Sequence, residues 1–430
     1  MRYEPIDNKL FKKNREQFTQ QLPKQSTAVF LSNDAHPRNG DQFFHFRQNS
    51  DLFYLTGIDQ EKTILLLSPG CPNKKLREAL FIIKTNEQLA TWEGHKYAKE
   101  EARTISGIEH VYWLDDFDIS LREVLSYTGT VFLNSNEYVK YFGDVPDKNH
   151  RFALEFKNKY PLHKIDRAAP IITQLRSIKS EEEIQLIQKA CAITQKGFDR
   201  VLRTVKPGIR EFEIEAEISH EFTINRANGH GYAPIIASGK NACVLHYIDN
   251  NETCQDGDLL LMDFGAEYAY YTADMSRTIP VNGKFTARQK QCYNAVLDVF
   301  KQLREMYVPG NTPDMINEAA EKLMEAEIVK LGLFTEDDIK HQDSDKPLFK
   351  KYFMHGVAHP IGLDVHDVGS KYEAFKPGMV FTCEPGIYIR EENIGVRIEN
   401  DILITENGPV DLMAEIPVEV EEIESLMQKK

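Results

Sequence analysis

Asp256-Gly257-Asp258-Leu259-Leu260-Leu261-Met262-Asp263 sets an apolar run between a glycine turn and a carboxylate. Four consecutive apolar residues bounded by turn signals read as a buried strand. A carboxylate at the end of such a strand is costly unless it is paired, hydrogen-bonded or bound to a metal. The pattern returns at Lys376-Pro377-Gly378-Met379-Val380-Phe381-Thr382-Cys383-Glu384. In both copies the carboxylate follows the glycine by six residues, Gly257 to Asp263 and Gly378 to Glu384. Past each one the chain turns and offers another acid, Asp274 in the first copy and Glu399 in the second.

The flanking sequence repeats as well. Ser180 and Glu183 have the S-x-x-E form of a capping box. The helix they start is expected to reach about Arg203 and stop before Pro207-Gly208, with another from about Glu211 to Asn225. Downstream, a helix from about Ala287 to Met306 stops before Pro309-Gly310, and another runs from about Pro313 to Leu331. Residues 180–420 therefore predict an internally duplicated α+β domain with pseudo-twofold symmetry. The chain before it reads differently. Thr63–Leu67, Leu80–Ile83 and Val131–Leu133 look like buried strands, with helices at Asn86–Ile105 and Ile119–Ser126. Alternation of this kind predicts an α/β layer. Ala168-Ala169-Pro170 marks a junction, giving domains 1–170 and 171–430.

A chain of 430 residues fits two large domains. Its net charge, 52 − 66 = −14, argues against a nucleic-acid or anionic-membrane binder, which would need a basic face. Cys71, Cys191, Cys243, Cys254, Cys292 and Cys383 form no CxxC pair, which fits a reduced, cytoplasmic chain. The polar N-terminus has no signal-peptide core, and no apolar run approaches the ~20 residues that span a bilayer.

Asp263, Asp274, Glu384 and Glu399 would repel one another strongly if they converged across a symmetry axis. Divalent cations would offset that charge, and oxygen-rich shells suit Mn²⁺, Fe²⁺, Co²⁺ or Zn²⁺. Two such ions about 3.5–4 Å apart activate a water and clamp a tetrahedral intermediate. The segment His355-Gly356-Val357-Ala358-His359-Pro360-Ile361-Gly362-Leu363-Asp364-Val365-His366-Asp367 lacks the Glu of an HExxH helix, and its Gly and Pro residues disfavour helix. One of its imidazoles completes a metal shell in this reading, and others move protons or bind substrate. His246 sits in a strand-like run, Val244-Leu245-His246-Tyr247, and is either a core histidine or a catalytic one.

Three segments together resemble the pita-bread fold of the creatinase/methionine-aminopeptidase superfamily. They are Asp263-Phe264-Gly265 through Asp274-Met275-Ser276-Arg277-Thr278, the 355–367 loop, and Glu384-Pro385-Gly386 through Arg397-Ile398-Glu399. Within that superfamily the chain is most similar to aminopeptidase P. The resemblance extends to the N-terminal creatinase-like domain through His45-Phe46-Arg47-Gln48-Asn49-Ser50-Asp51-Leu52-Phe53-Tyr54-Leu55-Thr56-Gly57. It implies two divalent ions, usually manganese, held by Asp263, Asp274, His359, Glu384 and Glu399. It also implies removal of the N-terminal residue from peptides with proline second, Glu384 shuttling the proton. By the same resemblance His246, His355 and His366 line the substrate, and Arg397 orients the site. Tyr388 occupies a matching position near the substrate. Trp92, in Trp92-Glu93-Gly94-His95-Lys96, would reach the proline pocket of a neighbouring subunit in a dimer or tetramer, although the run departs from the family's basic pattern. A core anchor is the other reading of Trp92. The competing functions are a prolidase restricted to dipeptides, a methionine aminopeptidase, a metal-free creatinase, and a non-catalytic binding module. The full set of five ligands disfavours the last two, and the large N-terminal domain disfavours the second.

Overall fold

The computed structural model describes residues 2–139, 141 and 144–428. The chain forms two compact units, Glu4–Arg176 and Met1–Tyr3 with Ser177–Lys430. The units part between Arg176 and Ser177, near the end of a helix, Ala169–Ser177, that begins at the Ala168-Ala169-Pro170 stretch. Pro170 sits in the first turn of that helix, where its missing N–H leaves no bond unmade.

The N-terminal unit is built on a mixed six-stranded sheet. The strand Ser26–Leu31 lies at its centre, antiparallel to Ile64–Leu67 and parallel to Thr130–Leu133. Glu78–Ile82 and His110–Trp113 extend one side, and Lys164–Arg167 closes the other. Val29, Leu66, Phe81, Leu121, Val124 and Phe156 pack into its core. The single helix expected over 86–105 is two helices, Glu87–Glu93 and Lys99–Ser106. Gly94 between them has φ 80°, a left-handed conformation that stops a helix. Trp92, near the end of the first, is 83% exposed, which removes the core-anchor reading.

In the C-terminal unit, Ser180 Oγ accepts from Glu183 N and Glu183 Oε2 accepts from Ser180 N, completing the expected capping box. Such a cap contributes about 1 kcal/mol. The helix it opens, Glu181–Thr204, buries Leu186, Ile187, Ala190, Ile193, Phe198, Val201 and Leu202 along one face. Full burial of each large apolar side chain contributes roughly 1.5–3 kcal/mol. Glu211–Ile224, Ala287–Arg304 and Pro313–Lys330 are the other expected helices. All six cysteines are free and buried. Among the described residues no helix is long and apolar enough to cross a membrane.

The two matched strands form matched hairpins. Leu259–Asp263 pairs antiparallel with Ser276–Pro280, and Val380–Cys383 pairs antiparallel with Asn400–Thr405. Each hairpin gains a third strand, Ile235–Ser238 in the first sheet and Gly408–Asp411 in the second. The hairpins meet where Glu399 N donates to Ser276 O and Arg397 N to Thr278 Oγ1. All four acids therefore come to one place from two sheets.

Candidate metal centre

Asp263 is the last residue of its strand, and Asp274 lies just before the returning strand Ser276–Pro280. Glu384 follows Val380–Cys383 directly, and Glu399 precedes Asn400–Thr405. The 355–367 loop has no helix. It lies along Val380–Cys383 instead: Thr382 N donates to His359 O, and Glu384 N to Val357 O. That backbone pairing aims His359 at the acids.

One donor atom from each of Asp274, His359 and Glu399 lies within 4.8 Å of the others. His359 Nε2 is 3.3 Å from Asp274 Oδ2 and 3.8 Å from Glu384 Oε1. Asp263 joins the group through Tyr232, whose hydroxyl is 2.6 Å from Asp263 Oδ1 and 2.5 Å from Asp274 Oδ1. All five expected ligands thus belong to one contact set of four carboxylates and an imidazole. Burial, then the charges of Asp263 and Asp401, push the Asp274 carboxyl well above the usual range. Burial, then Asp274, Glu384 and Asp263, do the same to Glu399. This donor set fits divalent cations, because a bound cation offsets both the burial and the mutual repulsion that raise these groups.

Around the acids runs a network of donors. Arg397, buried, donates from Nη2 to Asp263 Oδ2 at 2.6 Å, from Nε to Ser276 Oγ at 2.7 Å and from Nη1 to Tyr388 OH at 3.0 Å. Ser276 Oγ in turn donates to Glu399 Oε2 at 2.6 Å. The Tyr388 hydroxyl is 2.8 Å from His355 Nε2. Burial, together with the Arg397 charge, pushes His355 down to about 4, so its imidazole is neutral at pH 7. His355 Nδ1 is 3.9 Å from Glu384 Oε2. The His366 ring packs edge-on against His359, centroids 4.4 Å apart.

His246 corrects one expectation: residues 244–246 form a bend and turn after a short 3₁₀ helix, Gly239–Cys243, with no strand. Val244 N closes back onto Asn241 O, so the run Val244–Tyr247 cannot extend. Its neighbours Leu245 and Tyr247 pack against a cluster that includes Tyr388. The turn therefore borders the site. Trp92 belongs to the N-terminal unit. Sequence reasoning missed Tyr232, Ser276 and Asp401. Ser276 stands within the quoted Asp274–Thr278 segment, but Tyr232 follows Gly231 in a stretch with no periodic or ligand-spacing signal.

Tyr388→Phe removes only the hydroxyl between His355 and Arg397. Outer partners of this kind are worth about 10–100-fold. The variant should lose about 10-fold in kcat and melt a few degrees lower, because Arg397 Nη1 is left unpaired in a buried site. Steady-state kinetics beside a thermal melt checks this, and unchanged kcat rejects the bridging role.

This arrangement defines a two-domain metallopeptidase, with the candidate ligands on the hairpins of the second domain. The chain belongs to metallopeptidase family M24, whose model matches residues 185–406. Residues 11–132 match the aminopeptidase P N-terminal domain. The chain is 34% identical to the Xaa-Pro aminopeptidase of Haemophilus influenzae, over 97% of this chain and 96% of that one. With the Escherichia coli Xaa-Pro aminopeptidase the identity is 33%, over 98% of both. Among solved structures, a Bacillus anthracis chain assigned provisionally to aminopeptidase P superposes with TM-score 0.91 at 37% identity, covering 99% of both. A variant of Escherichia coli aminopeptidase P in complex with substrate superposes with TM-score 0.87 at 31% identity, again over 99% of both.

Proposed function

We propose that the protein removes the N-terminal residue from peptides whose second residue is proline, as an aminopeptidase P. The observation that carries this is the convergence of Asp274, His359 and Glu399 within 4.8 Å, with Asp263 and Glu384 joined to them, in a chain similar over its full length to Xaa-Pro aminopeptidases. Asp263, Asp274, His359, Glu384 and Glu399 would hold two divalent ions, with Mn²⁺ the first candidate and Co²⁺, Zn²⁺ and Fe²⁺ the others. When bound, these ions supply an activated water and polarise the scissile carbonyl.

The chain's own residues do the rest. Proline nitrogen carries no N–H, and its ring fixes the local backbone, so the substrate presents a tertiary amide that general peptidases fit poorly. Glu384 is half-buried at the mouth of the acid cluster. In this reading it takes the proton from the attacking water and passes it to the proline nitrogen. His355, its ring nitrogens held by Gly356 O and the Tyr388 hydroxyl, sets a neutral imidazole beside Glu384, and in this reading His246 and His366 line the substrate. Arg397 and Ser276 keep Asp263 and Glu399 in place. The acidic wall also favours a free ammonium on the substrate. Trp92, exposed on the N-terminal unit, is available to a neighbouring subunit in a dimer or tetramer. Six buried free cysteines support a cytoplasmic setting.

Reconstitution with each metal in turn, followed by hydrolysis of Xaa-Pro and Xaa-Pro-Yaa peptides, tests the reading. Release of the first residue from the tripeptide is expected, fastest with manganese. A preference for the dipeptide reassigns the protein to prolidase chemistry, and no hydrolysis with any metal rejects the peptidase.

A further inference from the structure

Glu211 lies outside the acid cluster, yet its side chain is fully buried. It opens the helix Glu211–Ile224. Oε1 accepts from Ser238 N at 2.8 Å, Ser238 Oγ at 2.7 Å and Asn241 Nδ2 at 3.3 Å. Oε2 accepts from the Tyr247 hydroxyl at 2.7 Å and from Glu252 N at 3.0 Å. Five donors on one carboxylate fill its acceptor capacity. These donors bracket His246 in the chain: Ser238 and Asn241 precede it, and Tyr247 and Glu252 follow it.

The far side of the same segment is held as well. Gly395 lies so close to it that an added Cβ would sit 2.1 Å from Ala242 O. Cys243 Sγ reaches Ile394 O at 3.5 Å. Asn250, at φ 46°, accepts from Ile236 N and donates to Pro234 O, closing the base of the loop. Segment 238–252 is therefore gripped between Glu211 and the strand Ile394–Arg397, whose last residue is the arginine of the metal centre.

We propose that Glu211 is a positioning residue, whose buried carboxylate clamps segment 238–252 and so fixes His246 beside His355 and Tyr388. The inference rests on the peptidase reading for the role of His246, and on geometry alone for the clamp. An amide in place of the carboxylate keeps the shape but turns one acceptor into a donor. That NH₂ would then face two or three donors, which cannot all be satisfied in a buried site.

Three measurements on the full, metal-loaded chain test this. In Glu211→Gln, kcat for an Xaa-Pro-Yaa peptide should fall about 10–100-fold, as expected for a displaced group, with KM changed less than about 2-fold. In a His246→Ala background the same change should lower kcat by less than about 2-fold, because both act through one imidazole. Costs that multiply in the double variant overturn the positioning role. Amide hydrogen exchange should quicken in segment 238–252 and stay as in the parent at 259–263 and 400–405. Unchanged exchange in 238–252 overturns the clamp whatever the activity. Tyr247→Phe, which removes one of the five bonds and keeps the ring, should show the same exchange change in weaker form if Glu211→Gln fails to fold. If the parent hydrolyses no peptide, the peptidase reading fails while the exchange arm still decides the clamp.

Discussion

Asp274→Asn should lose at least about a thousandfold in kcat/KM toward Xaa-Pro peptides, and its metal-free form should melt higher than the metal-free parent. Asp274 Oδ2 is 3.3 Å from His359 Nε2, inside the three-residue set that fits a cation. An amide there removes a negative ligand from the centre, and metal catalysis is worth several kcal/mol of transition-state stabilisation, which is about a thousandfold. The stability change has the opposite sign. Burial and the charges of Asp263 and Asp401 hold the Asp274 carboxyl well above its ordinary range. A carboxyl raised in the folded state favours folding when protonated, and that benefit is lost as pH rises through the folded pKa. Glu399 is raised in the same direction, and burial pushes Asp401 up to about 7. The metal-free parent should therefore lose stability as pH climbs from the carboxylate range to neutrality. The amide of the variant does not titrate, so the gap between variant and parent should open with rising pH, and added metal should close it by stabilising the parent. Thermal melts of chelator-treated protein across about pH 5–8 show this. A variant that melts lower than the parent throughout, or that keeps its activity, contradicts the repulsive-cluster account.

Gly265→Ala should damage both activity and stability, for a reason of space. Gly265 follows Asp263 by two residues, and an ideal Cβ there would sit 1.7 Å from Ala273 O and 3.2 Å from Asp274 N. The clash is with backbone, so no rotamer relieves it. The hairpin has to open, and the bonds Phe264 N to Met275 O and Ala273 N to Ala266 O have to stretch. Thr194 of the long helix, which accepts from Ala266 N, holds the turn in place and resists the shift. Opening the hairpin separates Asp263 from Asp274, which share the Tyr232 hydroxyl. Misplacement of a site by about 1 Å costs about 100-fold. Overpacking a well-filled interior costs about 1–3 kcal/mol. We expect kcat/KM down by about 100-fold and a melting temperature several degrees lower. Parental values for both would show that the turn has room.

Much of the C-terminal unit is legible because its signals are local. Pro207-Gly208 and Pro309-Gly310 end helices through their own backbone limits, and Ser180 caps through a side chain three residues from its partner. The duplicated run of glycine, apolar strand and carboxylate locates both hairpins. The N-terminal unit is less legible. Its central strand, Ser26–Leu31, escapes the sequence reading, since a short apolar run buried on both faces has no alternation to mark it. Gly94 gives only a weak stop signal inside a helical pattern, so two helices read as one. His246 stands among residues with strand propensity, yet the bond from Val244 N to Asn241 O turns the chain.

The sequence by itself determined the order of the two domains, the approximate ends of the long C-terminal helices, and the four acids of the candidate metal shell. Each of these follows from neighbours in the chain: a turn, a cap, or a charge that an apolar run must account for. Only the tertiary structure decided how those ligands are held. Tyr232 joins Asp263 to Asp274, Ser276 links Arg397 to Glu399, and Glu211 grips the loop of His246. Arg397 and Asp263 are 134 residues apart in the chain and 2.6 Å apart in the fold. The neutrality of His355 and the raised carboxyls belong to the same category, since both arise from desolvation and from charges brought close by folding. No local pattern encodes contacts of that kind, because hydrogen bonds and charge repulsion depend on distance through space.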